Sequence, residues 1–433
     1  MSFLKWLYPG MKFKRWFLLF ALGVMTASVG FALVFNYKYL DFIEESIFKA
    51  VYYMRGSYDY TITTIAGFII VVIGALLMLT ATRFVIRGII MALVPNKSEK
   101  LVDIIYEKQK LGKGPNVVVI GGGHGLSVLL RGMKTVTSNV TAIVTVADDG
   151  GSSGRLREDL GILPPGDLRN CLVALADTEP LMEKLFQYRF EGKGALAGHS
   201  FGNLFIAAMH GVTGDMETAL QKSSKVLAVK GNVLPASKES VRLDAIMEDG
   251  TIVEGESKIP EAHKKIKRVK LFPEKVPAVK AAIKAIKNAD AIILGPGSLY
   301  TSIMPNLLVD GISEALIKSK AIKIYICNVM TQSGETDNYT ASMHVKAILD
   351  HAGRGAVDYA LVNGREISEG MKEFYKKENA YPVKIDEDEI NALGVGFVKA
   401  DMIDENEVIR HNPDKLAKSV MRMVYGLKHE DSF

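Results

Sequence analysis

Nineteen consecutive residues, 17–35, and twenty-two more, 61–82, contain no Asp, Glu, Lys or Arg. A helix rises about 1.5 Å per residue, so either run can cross about 30 Å of hydrocarbon. Both are read as transmembrane helices. The first follows Lys5, Lys12, Lys14 and Arg15, as a signal peptide would. It exceeds the usual apolar core of about 7–15 residues, has no small-x-small exit and is followed by a second run. Lys12, Lys14 and Arg15 precede the first run, and Arg83, Arg87, Lys97 and Lys100 follow the second. The segment between them carries Lys38, Lys49 and Arg55. The positive-inside bias therefore favours a two-span protein of the cell membrane, with both termini and the large C-terminal part in the cytoplasm.

The expected layout is an anchor over residues 1–95, a helical connector over 96–113 and one domain over 114–433. The mean hydropathy of +0.15 then averages two spans with an ordinary globular part. Cys171 and Cys327 are the only cysteines, each inside an apolar stretch, which suits buried thiols in a reducing compartment. Part of the net charge of +5 sits at the membrane flanks. The basic run 263–268 lacks interleaved aromatics and reads as a solvated face, so nucleic acid is not an expected partner.

Residues 116–120, Asn-Val-Val-Val-Ile, form a continuous apolar run, the pattern of a strand buried on both faces of a parallel sheet. Similar runs at 140–146, 289–294, 322–327 and 359–362 are separated mostly by helical segments such as 278–287 and 341–349. The alternation predicts an α/β fold with a doubly wound, mostly parallel, Rossmann-like sheet. Residues 240–247 alternate apolar and polar side chains before Asp249-Gly250, which predicts a β-hairpin. The stretch 230–272 is thus expected to be a small antiparallel addition or a flap beside the site.

Five groups of loop residues carry the candidate chemistry. The first, Gly121, Gly122, Gly123, His124, Gly125 and Leu126, lets backbone amides approach a phosphate at a helix N-terminus. Leu126 stands where a dinucleotide fingerprint would have its third glycine, which weakens a dehydrogenase reading. The second contains Asp148, Asp149, Gly150 and Ser152. Its paired carboxylates could hold a divalent metal, accept hydrogen bonds from a sugar or ribose, or act as a general base. Asp167, Arg169 and Asn170 form a third group, joined by His199 and Asn203; Ser200 between them also reads as a helix cap. Gly295, Gly297 and Ser298 form the fourth, and Asn328, Thr331, Gln332 and Glu335 the fifth. In an open α/β sheet such loops gather at the carboxyl ends of the strands, where ligands bind.

The motifs at 119–125, 148–154, 166–169, 199–203, 295–298 and 330–336 occur in order within residues 114–425. Together they resemble the bacterial gluconeogenesis factor family, the YvcK-like proteins, which is similar in fold to the 2-phospho-L-lactate transferase CofD. The resemblance implies a UDP-sugar ligand such as UDP-N-acetylglucosamine, a role in growth and cell shape on gluconeogenic carbon sources, no established reaction, and homo-oligomerisation. Carried onto this chain, Gly122 to Gly125 would face a diphosphate, and Asp148 and Asp149 would contact sugar, ribose or a metal such as Mg²⁺. Asn203, Ser298 and Thr331 would complete the cleft. Three functions stay open: a nucleotide-sugar-binding regulator without turnover, a transferase using Asp148 or Asp149 with Mg²⁺, and a membrane scaffold.

Overall fold

The computed structural model describes residues 13–35, 45, 49, 52–53, 60–93, 109–177, 180–405 and 409–430. They divide into two units, Met1–Glu107 and Lys108–Phe433. Most of the expected connector lies outside the described residues; within it, 109–112 is helical.

The first unit is a helical hairpin. Helix α1 (Phe13–Val34) and helix α2 (Tyr60–Leu93) contain apolar stretches of 20 and 25 residues with mean hydropathy 2.3 and 2.5. Two helices can approach this closely only where side chains are missing. A Cβ built on Gly30 would lie 2.6 Å from the Val71 nitrogen, and one on Gly74 would lie 2.6 Å from the Ala27 nitrogen. Gly23 and Gly67 are equally crowded, so small residues set the helix separation, as they do where helices associate in lipid. Trp16 stacks on Phe84 with ring centroids 4.1 Å apart. The outward surface is apolar: Leu18, Met25, Phe68 and Leu79 are each about two-thirds exposed or more.

The second unit is built on a seven-stranded sheet in the order β10-β9-β8-β7-β1-β2-β3, with every neighbouring pair parallel. The strands are β1 (Val117–Gly121), β2 (Val140–Val144), β3 (Asn232–Pro235), β7 (Ala291–Leu294), β8 (Ile322–Ile326), β9 (Tyr359–Asn363) and β10 (Gly396–Ala400). Strands β1 and β7 are buried along their whole length, which is why they read as unbroken apolar runs. Chain order runs outward in one direction from β1 to β3 and in the other from β7 to β10. With right-handed crossovers, that reversal puts the two sets of helices on opposite faces. The doubly wound sheet expected from the alternation is therefore present, and its switch point lies between β1 and β7.

The antiparallel addition is a three-stranded sheet, β5-β4-β6, formed by β4 (Arg242–Met247), β5 (Ile252–Glu254) and β6 (Ile266–Phe272). The Asp249-Gly250 turn joins the first two, with Gly250 at φ 84°. The stretch expected to form the insertion also contains β3, which pairs with β2 in the main sheet. Nothing in its short apolar sequence marks that partner. Two contacts pin this flap. Asp149 accepts hydrogen bonds from the backbone N–H groups of Glu256 and Ser257, both at 2.9 Å. Gly334, at φ 82°, lies so close to Pro260 that a Cβ would sit 2.0 Å from the carbonyl oxygen.

Candidate functional site

Helix α3 (Gly123–Met133) begins one residue after β1, with Gly122 as an N-cap that has no side chain to satisfy the first-turn amides. The loop after β7, containing Pro296, Gly297 and Ser298, packs directly against it. A Cβ on Gly125 would lie 2.6 Å from the Pro296 carbonyl oxygen. The two loops bracket the switch point and open into a cavity of about 410 Å³. Ser302, Asn328, Val329 and Gln332 extend its wall, and Gln332 donates to the Ser298 hydroxyl at 2.8 Å.

The remaining wall comes from the far end of the chain. Strands β11 (Ile403–Glu405) and β12 (Ile409–His411) pair antiparallel and bring Arg410 and His411 to the cavity. The Tyr375 hydroxyl accepts from the Ile409 N–H at 3.0 Å and donates to the Ile409 carbonyl at 3.3 Å, fixing that strand. A separate apolar cluster of Val329, Ile367, Ile403 and Ile409 supports it. Burial lowers the His411 pKa to about 4, so the ring is neutral near pH 7, and its buried Nε2 has no hydrogen-bond partner among the described residues. Arg410 is exposed and has no ion-pair partner among them. Among the described residues no carboxylate lines this cavity, whereas Arg410 and the N-terminus of helix α3 do. That combination suits an anion. A neighbouring cavity of about 350 Å³ shares Asn328 and Val329 with it and carries Arg365, Lys372 and Lys399.

Of the candidates read from the sequence, Gly122, Gly123, His124, Gly125, Gly297, Ser298, Asn328 and Gln332 line the larger cavity. The others stand around it. Leu126 is fully buried, packed against Gly121 at the end of β1. Asp167 lies beneath the glycine loop, its carboxylate 2.6 Å from where a Gly122 Cβ would be. It accepts from the Gly123 N–H, and burial with Asp148 nearby raises its pKa to about 6. Asp148 accepts from the Gly150 N–H at 3.0 Å, and burial raises its pKa as well. Both oxygens of Asp149 serve the flap.

A buried polar network ties the second and third loops together. The Ser152 hydroxyl meets His199 Nδ1 at 2.9 Å and accepts from Asn203 at 3.0 Å. Arg169 donates to Ser200, to Asn203 at 3.0 Å and to Asn170 at 2.8 Å. These side chains position the loops. Thr331 accepts from the Tyr381 N–H at 2.9 Å, and Glu335 accepts from Thr301 at 2.9 Å. Gly295, at φ 83°, adopts the turn that starts the β7 loop. Arg410, His411 and Tyr375 were missed by sequence reading. They follow no glycine-rich strand end, and only the tertiary fold brings them to the cleft.

Among the described residues no group of three or more His, Cys, Asp and Glu side chains is arranged to hold a metal. Each Asp149 oxygen accepts one backbone amide of the flap, and Asp148 accepts the Gly150 N–H of its own loop.

The carboxyls around the flap give the domain a pH dependence. Burial is the main cause that raises Glu256 to about 8 and Glu335 to about 7, with surrounding carboxylates adding to the first. The folded chain then keeps protons that the unfolded chain, with its ordinary carboxyls, releases. Their contribution to stability is present at acidic pH and is lost as pH rises through about 7 to about 8. The melting temperature is expected to fall from pH 5 to pH 8.5, and Glu256→Gln should flatten the slope. A pH series of thermal melts checks this; equal slopes for both proteins would rule out Glu256 as the source.

Comparison with known proteins places these features. The family model for 2-phospho-L-lactate transferase CofD matches residues 117–403. Gluconeogenesis factors from Halalkalibacterium halodurans and Bacillus subtilis are 57% and 53% identical over 71% and 72% of this chain, and 96% and 99% of their own lengths are covered. A relative from Nostoc sp. is 47% identical over 98% of this chain and 93% of its own, so its alignment includes the helical hairpin. A crystal structure of a Bacillus halodurans protein superposes with a TM-score of 0.70 at 57% identity, covering 71% of this chain and all of that one.

Proposed function

Because the chain belongs to the gluconeogenesis factor family and carries a CofD-type domain, we propose that it is a membrane-anchored receptor for a nucleoside-diphosphate sugar of the UDP-N-acetylglucosamine class, acting as a regulator of envelope synthesis during gluconeogenic growth. The observation that carries this reading is the cavity at the switch point, where the N-terminus of helix α3, Arg410 and an unsatisfied His411 nitrogen meet and no carboxylate lines the wall among the described residues. A diphosphate at the amides and Arg410 would leave the adjoining cavity, with its Asn328 and Asn363, for the rest of the ligand. Regulation without turnover is favoured because the two carboxylates best placed by sequence for catalysis support the loops instead. Transfer chemistry is the second reading, favoured by the CofD match itself.

The test is a calorimetric titration of the protein with UDP-N-acetylglucosamine, UDP-glucose, GDP and NAD, followed by recovery of the ligand. Tight UDP-sugar binding with intact ligand is expected. Cleavage, or preference for GDP, would favour the transferase, and no binding would end the proposal.

The anchor reading rests on the length of α1 and α2, their apolar outer faces and the basic flanks. By the same charge bias, both termini and the large domain are cytoplasmic. The full chain should stay with the membrane pellet after alkaline carbonate washing and should be released if the hairpin is only peripheral.

A further inference from the structure

We propose that the amino edge of the parallel sheet, opposite the ligand cleft, is a lipid-docking surface whose lysines rest on acidic phospholipid headgroups. The proposal rests on the membrane-anchor reading for its orientation, but the surface itself can be tested separately.

The argument begins where the chain joins the domain. Residues 109–116 lead directly into the amino end of β1, and Asn116 is pinned there. Its N–H and side-chain amide reach the Asp290 carboxylate at 2.8 and 3.3 Å, and the Asp290 N–H returns to the Asn116 carbonyl at 2.8 Å. Asp290 stands just before β7. Within the domain the chain therefore enters the sheet at its amino edge, while the cavity lies at the carboxyl ends of the same strands. On the anchor reading, the tether joins the domain on this side.

The edge has matching chemistry. Helix α10 (Lys280–Lys287) ends before β7, and helix α12 (Ile312–Lys318) ends before β8. Between them is a groove of about 500 Å³ lined by Lys287, Lys318, Lys320 and Glu314, with Ile283 on its wall; Lys287 and Lys320 have no ion-pair partner among the described residues. The three lysines are exposed, as are Lys110 and Lys113 in the joining segment. Nearby acids are already engaged. Glu314 pairs with Lys318 at 2.6 Å, Asp290 holds Asn116, and Asp358 pairs with the buried Lys323 at 3.1 Å. Ile317, 40% exposed, adds an apolar contact beside the groove. Lysines at helix C-termini also complement the helix dipole, which accounts for Lys287 and Lys318. It does not account for Lys320 or Lys113, which lie outside helices. Each lysine near an acidic leaflet strengthens partitioning about fivefold, and a tether makes even a weak contact count.

Relatives consisting of this domain alone exist and one has been crystallised, so residues 109–433 can be studied by themselves. They should sediment with phosphatidylcholine vesicles containing about 30% phosphatidylglycerol, less so at high salt and not with neutral vesicles. Reversing Lys287, Lys318 and Lys320 to Glu should weaken partitioning on the order of 100-fold without changing the melting temperature. Reversing Lys264, Lys265 and Lys267 on the flap should leave it unchanged. Because Cys171 and Cys327 are buried, a fluorophore on Lys320→Cys in the reconstituted full chain reports this edge alone. Its emission should shift to the blue only in acidic vesicles, and a label on Glu366→Cys beyond β9 should not respond. Salt-insensitive sedimentation, loss through the flap lysines, or a shift at position 366 would overturn the proposal. Failure of the carbonate test with intact sedimentation would remove the anchor reading and leave the surface.

Discussion

Replacing Gly125 by Ala is expected to lower the melting temperature by about 5–10 °C and to weaken nucleotide binding at least about tenfold. The new Cβ would sit 2.6 Å from the Pro296 carbonyl oxygen and 2.9 Å from its carbon. Both are backbone atoms of the β7 loop, so neither can turn away as a flexible side chain would. Relieving the overlap costs about 3 kcal/mol and pushes apart the two loops that bracket the switch point. Gly211 is the control. It lies in helix α7 (Phe201–Thr213) with nothing within 4 Å of its Cβ position, so Gly211→Ala should be neutral or slightly stabilising. Thermal melts and calorimetry on both variants check the pair. If Gly125→Ala melts and binds like the parent, the cleft is not held by that contact.

Arg410→Ala is expected to leave the melting temperature almost unchanged, because the side chain is exposed and forms no ion pair among the described residues. It should nevertheless weaken UDP-sugar binding about 30- to 100-fold, the effect of losing a hydrogen bond from a cation to a phosphate. Arg410→Lys should recover part of the affinity, because it restores charge but not the guanidinium fork. Measuring both by calorimetry separates this from a folding defect. An Arg410→Ala protein with parental affinity would place the diphosphate elsewhere.

The sheet was legible because burial on both faces leaves β1 and β7 no choice but unbroken apolar runs, and each ends in a glycine loop. The same logic located half of the cavity, from Gly122 to Gly125 and from Gly297 to Gln332. It did not reveal that Asp149 also holds the flap. Adjacent carboxylates after a strand look alike whether they face solvent, a ligand or backbone amides, and here the amides belong to a flap more than a hundred residues away. Arg169, His199 and Asn203 were recognised as a group, but their hydrogen bonds turn inward and join loops to one another.

By itself, the sequence determined the elements whose cause is local. These are two helices long and apolar enough to cross a membrane, strands too apolar for a surface, and glycines where backbone must approach backbone. Only the tertiary structure decided which strands are neighbours, that β3 belongs to the main sheet, and that β12 brings Arg410 and His411 to a cleft whose glycines lie nearly three hundred residues earlier. Those choices depend on burial and pairing between segments distant along the chain, and no periodicity within a segment records its partner.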